Sequence, residues 1–272
     1  MATMNSTKRQ QLEQTLLDLV KEYPVCVRLA QALFADAELS ELQDYCNNVS
    51  IRRLGFNDHG PVHMRQVAVN ALRLLFLLRG AGIQTSLESE EYGTFEDSLC
   101  AVLLAGFCHD LGMSVGRQQH EDMSALYVLE AARRLLTEAL PDDVRRRTVI
   151  RALALEAVVG HMGNRRIHSL EAGVVLVGDG CDMTRGRSRI TMRLGNRPTP
   201  GDIHKFSAYS IKRVHIASGV AKPIRIDVEM ESEVGLFQIE EVLMPKIRAS
   251  TIAGHIELCA SVEGGEVRRY LE

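Results

Sequence analysis

Six of the nine histidines, His59, His63, His109, His120, His161 and His168, stand in the first two-thirds of the chain, and three acids, Asp110, Asp179 and Asp182, lie beside or just beyond them. Neutral imidazole and carboxylate are the ligands a divalent transition metal takes when no thiolate set is offered. The six cysteines, at 26, 46, 100, 108, 181 and 259, include no CxxC pair. That argues against a zinc ribbon or a disulfide scaffold and fits a reducing compartment. Asp110 follows His109 at the end of the apolar run "LLAGFC", and Asp179 ends the apolar run "VVLVG". A carboxylate in such surroundings requires a cation or several hydrogen-bond donors. Taken singly, these residues have plainer uses. His63 fits a hydrogen-bonded core histidine, His109-Asp110 a pair capping a helix end, and His161 a ring at its helix's negative end. His168 reads as a helix-start residue and Cys108 as a small core residue.

The elements that must bring these side chains together are helical from residue 1 to about 194. Leu12, Leu16, Leu19 and Val20 form one helical stripe, and a second helical pattern runs through "ELSELQDYCNNVSIRRL". The stretch "PVHMRQVAVNALRLLFLLRG" is apolar on most sides, with Pro61 suited to a first turn and Gly80 to a stop, which predicts a central helix. A polar loop is expected over 86–98, then a helix ending at His109-Asp110, helices over 119–139 and 142–160, and a buried helix within 168–184. "GNRPTPGD" at 195–202 reads as a linker. Beyond it the period changes to two in "SIKRVHIAS", "PIRIDVEME" and "GHIELCASV", with a helical stretch over 233–250. The expected organisation is a mainly α protein: a helical domain over 1–194, a linker over 195–202 and a small α+β (ββαβ) domain over 203–272.

His63 in "GPVHMRQV", the His-Asp pair in "LLAGFCHDLG" and Asp179 in "VVLVGDGCDMT", in that order, resemble the HD-domain superfamily of metal-dependent phosphohydrolases over residues 50 to 190. The resemblance implies an HD-type helical bundle in which His63, His109, Asp110 and Asp179 ligate a metal. Asp179 matches the motif better than Asp182, which is expected to support the ligands from behind. His120 in "RQQHEDMSA" and His161 in "VVGHMGN" resemble the extra histidines of binuclear members, where the His-Asp carboxylate bridges two ions. What this implies is hydrolysis of a phosphoester, nucleotides among the candidates, by a metal-activated water, with Asp110 as the catalytic group that orients the water or accepts its proton. One or two ions are implied, from Mn, Fe, Co, Ni or Zn, with Mg less suited to several imidazoles. A minority of the superfamily resembles di-iron oxygenases on the same ligands, and a non-catalytic nucleotide-sensing module is the third reading.

A phosphate also needs local cations. Arg117, Arg165 in "NRR", and Arg185 and Arg187 in "RGRSR" are candidate substrate contacts, with His59 in the loop before Pro61. The plainer reading is that short basic runs face solvent. Hydrophobic residues are 46% and charged residues 25% of the 272, enough for a sizeable core, and the net charge of −3 gives no sign of a nucleic-acid or membrane partner. The polar start "MATMNSTKRQQ" has no apolar signal core, so the chain reads as soluble and cytoplasmic. No phosphate-binding glycine loop or GxSxG elbow occurs. The alternating strands of 203–272 are expected to pair across a homodimer or to bind an effector.

Overall fold

The computed structural model describes residues 2–187 and 203–271, so the expected linker at 195–202 lies outside the described residues. Along the first segment run α1 (Ala2–Val20), α2 (Pro24–Ala35), α3 (Ala37–Asn48), α4 (Pro61–Gly80), the short α5 (Ser86–Ser89), α6 (Phe95–Cys108), α7 (His120–Ala139), α8 (Val144–Gly160) and α9 (Leu170–Gly180). Side chains start several of these helices. Asp36 accepts from the Leu39 N–H at 3.0 Å, Asp143 from that of Arg146 and Ser169 from that of Ala172. Thr85 and Thr94 form reciprocal capping boxes with Glu88 and Asp97. These boxes correct the expected loop over 86–98. The segment is polar in composition, but a Thr-x-x-acid pattern beginning just before it, at Thr85, starts α5, and one within it, at Thr94, starts α6 at Phe95.

α4 occupies the centre, as its nearly all-round apolar run predicts: Val67, Ala68, Ala71, Leu72, Leu74, Leu75 and Leu78 are all buried. It lies unusually close to α6. A Cβ added at Gly106 would fall 2.7 Å from Ala68 Cα, so only glycine permits this crossing. Near the start of α4, Arg65 is fully buried. Its guanidinium donates to Glu13 at 2.8 Å, to Gln43 at 2.7 Å and to the Pro61 carbonyl at 3.0 Å, and lies 4.4 Å from the Phe107 ring centroid. A buried cation is tolerated only when paired and hydrogen-bonded in this way. The cluster pins α1, α3 and α6 to the turn of α4 that carries His63.

The second segment opens with α10 (Ile203–Ser210), which leads into β1 (Ile211–Ser218) and β2 (Ile224–Met230). A helical run follows: α11 (Leu236–Gln238), a π-helical turn (Ile239–Leu243) and α12 (Met244–Ala249). It crosses to β3 (Ile256–Val262), and β4 (Val267–Leu271) comes last. The sheet order is β1-β2-β3-β4, with β2 and β3 parallel and both outer pairs antiparallel. As the alternation predicts, Ile224, Ile226, Val228 and Met230 are buried, and in register Ile224 faces Ile256, Ile226 faces Leu258 and Val228 faces Ala260. The expected ββαβ order gains a fourth strand and a leading helix. β4, "VRRYL", is too short, charged and exposed to show a period of two. The buried residues of the sheet and of the helices form one continuous apolar cluster. The protein is therefore mainly helical with a small C-terminal four-stranded sheet, and no helix among the described residues is long and apolar enough to cross a membrane.

Replacing Gly106 with Val should force α4 and α6 apart. The expected cost is about 1–3 kcal/mol or more of unfolding free energy, read as a lower urea midpoint at unchanged slope. Unaltered stability would mean the helices do not meet as closely as described.

Candidate metal centre

The ends of five helices converge on one point. His63 lies in the first turn of α4, His109 and Asp110 directly follow α6, His120 begins α7, His161 directly follows α8 and Asp179 is in the last turn of α9. All six are buried. The Nε2 atoms of His63 and His109 are 3.2 Å apart, and those of His120 and His161 are 3.1 Å apart. Asp110 sits between the two pairs. Its Oδ2 is 3.1 Å from His63 Nε2 and 3.3 Å from His109 Nε2, while its Oδ1 is 3.1 Å from His120 Nε2 and 3.5 Å from His161 Nε2. Asp179 Oδ1 joins the first pair, at 3.3 Å from His63 and 3.7 Å from His109.

The other ring nitrogens decide what these contacts are. His109 Nδ1 donates to the Gly106 carbonyl at 3.0 Å, His120 Nδ1 to that of Arg117 at 3.0 Å and His161 Nδ1 to that of Val158 at 2.6 Å. A carbonyl only accepts, so each Nδ1 carries a hydrogen and each neutral ring presents its Nε2 lone pair to the centre. His63 Nδ1 faces Asp182 Oδ2 at 2.7 Å, with the same consequence. Four lone pairs and three carboxylate oxygens thus point at one another. Such a set repels itself unless positive charge stands between its members. Four imidazole nitrogens with carboxylate oxygens are also the donor set of a divalent transition metal, so the residues fit such an ion. Within each of three overlapping triads, His63–His109–Asp110, His109–His161–Asp179 and Asp110–His120–His161, the ligand atoms lie within 4.8 Å of one another.

The titration of the cluster shows the same demand for positive charge. Burial, and after it Arg187, press the pKa of His63 down, but the carboxylates of Asp110, Asp179 and Asp182 carry it up to about 10. His109 is also raised, against burial, by Asp110 and Asp179. Burial takes His161 down to about 4. Burial would lift Asp110 and Asp179, yet the imidazoles hold Asp110, and Lys246 followed by the imidazoles holds Asp179, well below the ordinary carboxylate range.

The centre opens into a cavity of about 580 Å³. Arg187, Arg117 and His59, three of the five candidate substrate contacts, line it. Arg187 donates to the carbonyls of Asp58 at 3.0 Å and Asp182 at 2.9 Å, and its Nη2 lies 3.3 Å from His63 Nε2. The Arg117 guanidinium lies 5.9 Å from the Phe56 ring centroid at the mouth. His59 Nδ1 contacts the Asn57 carbonyl at 2.7 Å and Ser50 Oγ at 2.9 Å, and burial lowers its pKa. Arg165 and Arg185 are not brought to the cavity. The first pairs with Asp122 at 2.6 Å and the second with Glu231 at 3.0 Å, both on the surface.

No family model matches the chain, and no solved structure matches it. It is 40% identical over 217 residues to the uncharacterized protein MJ1020 of Methanocaldococcus jannaschii, an alignment covering 80% of this chain and 82% of that protein. The chain belongs to that protein's family. The relative's name carries no activity, so the chemistry of the family is read from the site itself.

Of two further contributors to the site, only the second escapes sequence reading. Asp182, expected to stand behind the ligands, holds His63 Nδ1. Lys246, from the segment that shows no chemical motif, donates to Asp179 Oδ2 and, at 2.9 Å, to the His161 carbonyl. An isolated lysine in an amphipathic helix 67 residues from Asp179 gives no signal in the sequence.

Protein loaded with Mn²⁺ should hold two ions per chain by elemental analysis. His120→Ala should hold one and Asp110→Ala none. Chelation should lower unfolding stability by roughly 2.7 kcal/mol per ion relative to free Mn²⁺ at about a hundred times its dissociation constant. No uptake by the wild type would defeat the metal assignment.

Proposed function

We propose that the protein is a metal-dependent phosphohydrolase of the HD type, cleaving a phosphoester. The observation that carries this reading is the placement of Asp110, one oxygen toward each imidazole pair, at the floor of a cavity walled by Arg187, Arg117 and Lys246. The ordered motifs His63, His109-Asp110 and Asp179 support it, since these are the residues the superfamily uses. His63, His109, Asp110 and Asp179 would hold one divalent ion, and Asp110, His120 and His161 a second. When bound, such ions supply Lewis acidity toward water and toward a phosphoryl oxygen.

The remaining work falls to the chain's own side chains. Arg187 directs an N–H at the point where the imidazole lone pairs meet, so it also faces any anion held there. Its planar fork suits the equatorial oxygens of a phosphoryl group, on which charge accumulates during transfer. Asp110, held below the usual carboxylate range by the imidazoles around it, orients the attacking water. The water oxygen bonds to phosphorus and releases its proton to solvent in the open cavity, the bond to the leaving oxygen breaks, and that oxygen takes up a proton from the same solvent. The cavity falls within the size range of small-molecule sites and has apolar wall from Leu54, Met162 and Met183 as well as cations, which suits an organic phosphate such as a nucleotide. These cations favour an anionic substrate, and so hydrolysis over the oxygenase chemistry that the same ligands serve elsewhere in the superfamily.

The test is phosphate release, or alcohol release from diesters, by the Mn²⁺-loaded protein across nucleotides, cyclic nucleotides and p-nitrophenyl mono- and diesters. Turnover of at least one class is expected, with Asp110→Asn slower by about 10²-fold or more. A fully loaded protein inactive on every class would refute the assignment.

A further inference from the structure

Asp179 is the ligand whose second oxygen is held from outside the helical segment. The ring nitrogens opposite the ligating ones are tied to Gly106, Arg117, Val158 and Asp182, all within the described residues up to 187. Asp110 turns both oxygens inward. Asp179 Oδ2 is held by the Lys246 ammonium, carried on α12. The same ammonium donates to the carbonyl of His161, whose ring belongs to the other imidazole pair. One cation therefore braces a ligand of each half of the centre.

The local structure is shaped around this reach. The side chain of Lys246 is only 11% exposed, so its charge depends on these two partners rather than on water. Its stem passes directly over Gly180, where a Cβ would lie 3.2 Å from Lys246 Cδ and 3.1 Å from Leu243 Cδ1. The helix that delivers it is irregular. The π-helical turn Ile239–Leu243 widens the backbone just before Pro245, which has no N–H to give to a regular helix.

We infer that Lys246 is a positioning residue of the metal centre. By occupying Oδ2 it leaves Asp179 to ligate through Oδ1 alone, and it makes ion binding depend on the seating of α12 against α9. This rests on the metal reading above. Charge and positioning predict opposite signs. An ammonium beside a cation site repels the ion, so a residue acting by charge alone would, on removal, tighten binding. Loss of a group that orients a ligating carboxylate loosens binding, by about 10–100-fold in metal sites generally.

Titration of the metal-free full-length protein with Mn²⁺ by calorimetry separates the two. Lys246→Met keeps an unbranched apolar stem over Gly180 and should bind Mn²⁺ about 10–100-fold more weakly at a temperature where the variant is folded; its metal-free melting temperature should fall, because Asp179 loses a buried partner. Lys246→Arg, which keeps donors and charge, should recover most of the affinity. Gly180→Ala pushes the stem aside without removing the ammonium and should also weaken binding; it decides the matter if the methionine variant does not fold. Wild-type or tighter binding by Lys246→Met, or wild-type binding by Gly180→Ala where that variant must decide, overturns the role of Lys246 and leaves the metal reading standing. A wild type that takes up no Mn²⁺ overturns both.

Discussion

The structure turns on a set of acceptors that face one another. The Nε2 atoms of four neutral imidazoles and the oxygens of Asp110 and Asp179 meet at 3.1 to 3.7 Å in a buried space. Left so, they would repel at a distance where water cannot screen them. The fold does not relieve this by letting the rings turn, because each Nδ1 is already committed elsewhere. It holds the conflict in place, and the centre draws positive charge as a result. His63, in contact with three carboxylates, holds a proton up to about pH 10 despite burial and the nearby Arg187. The backbone adds to the pull. α6, α8 and α9 present their C-terminal ends to the centre, and these ends carry partial negative charge.

The commitment of the rings is achieved by one local device used three times. His109, His120 and His161 each give Nδ1–H to the carbonyl three residues earlier. After α6 and α8 this has a double effect, since the carbonyls of Gly106 and Val158 lie in last turns where helix carbonyls lack intrahelical partners. The ring satisfies the helix end, and the helix end fixes the ring. Before α7 the device needs an unusual backbone: Gln119 adopts a left-handed conformation, φ 52°, the kind of strain that clusters at functional sites. His63 cannot use the device, because it sits at the beginning of its helix rather than beyond an end. Asp182 takes the carbonyl's place, and Arg187, bound to the Asp182 carbonyl, carries the network on into the cavity wall.

What could be read in advance follows from these physics. His109, Asp110 and Asp179 are legible because each interrupts an apolar run at a helix end, where a charged or titratable group needs a reason, whereas His63 is singled out only by the order of motifs it shares with the HD superfamily. The central position of α4 was legible in its unbroken hydrophobicity, and the inner face of β2 in its period of two. Arg165 and Arg185 were not distinguishable from Arg187, since in a short basic run the direction of a guanidinium depends on turn geometry that the residue types do not encode. Lys246 was the least legible. Its role arises from the meeting of two distant segments, and locally it is one more lysine on a half-buried helix. The helix starts at Thr85 and Thr94 were present in the letters but masked by the polar composition around them.

The charge balance around the cavity ties these features to the proposed chemistry. Asp110, Asp179 and Asp182 set three carboxylates against the two fixed cations Arg187 and Lys246, while Arg117 and Glu241 add one charge of each sign to the wall. With every ring neutral the centre would be net negative; with His63 protonated, as its raised pKa implies, the three carboxylates are balanced. Each divalent ion adds positive charge to that balance, so on the proposed reading the ions do more than activate water: they also attract the phosphate. Lys246 and Arg187 then have distinct tasks despite equal charge. Arg187 retains an N–H aimed at the point of convergence, where an anion would lie. Lys246 donates to Asp179 Oδ2 and the His161 carbonyl instead, so its charge is directed at the framework of the centre and not at what that framework holds.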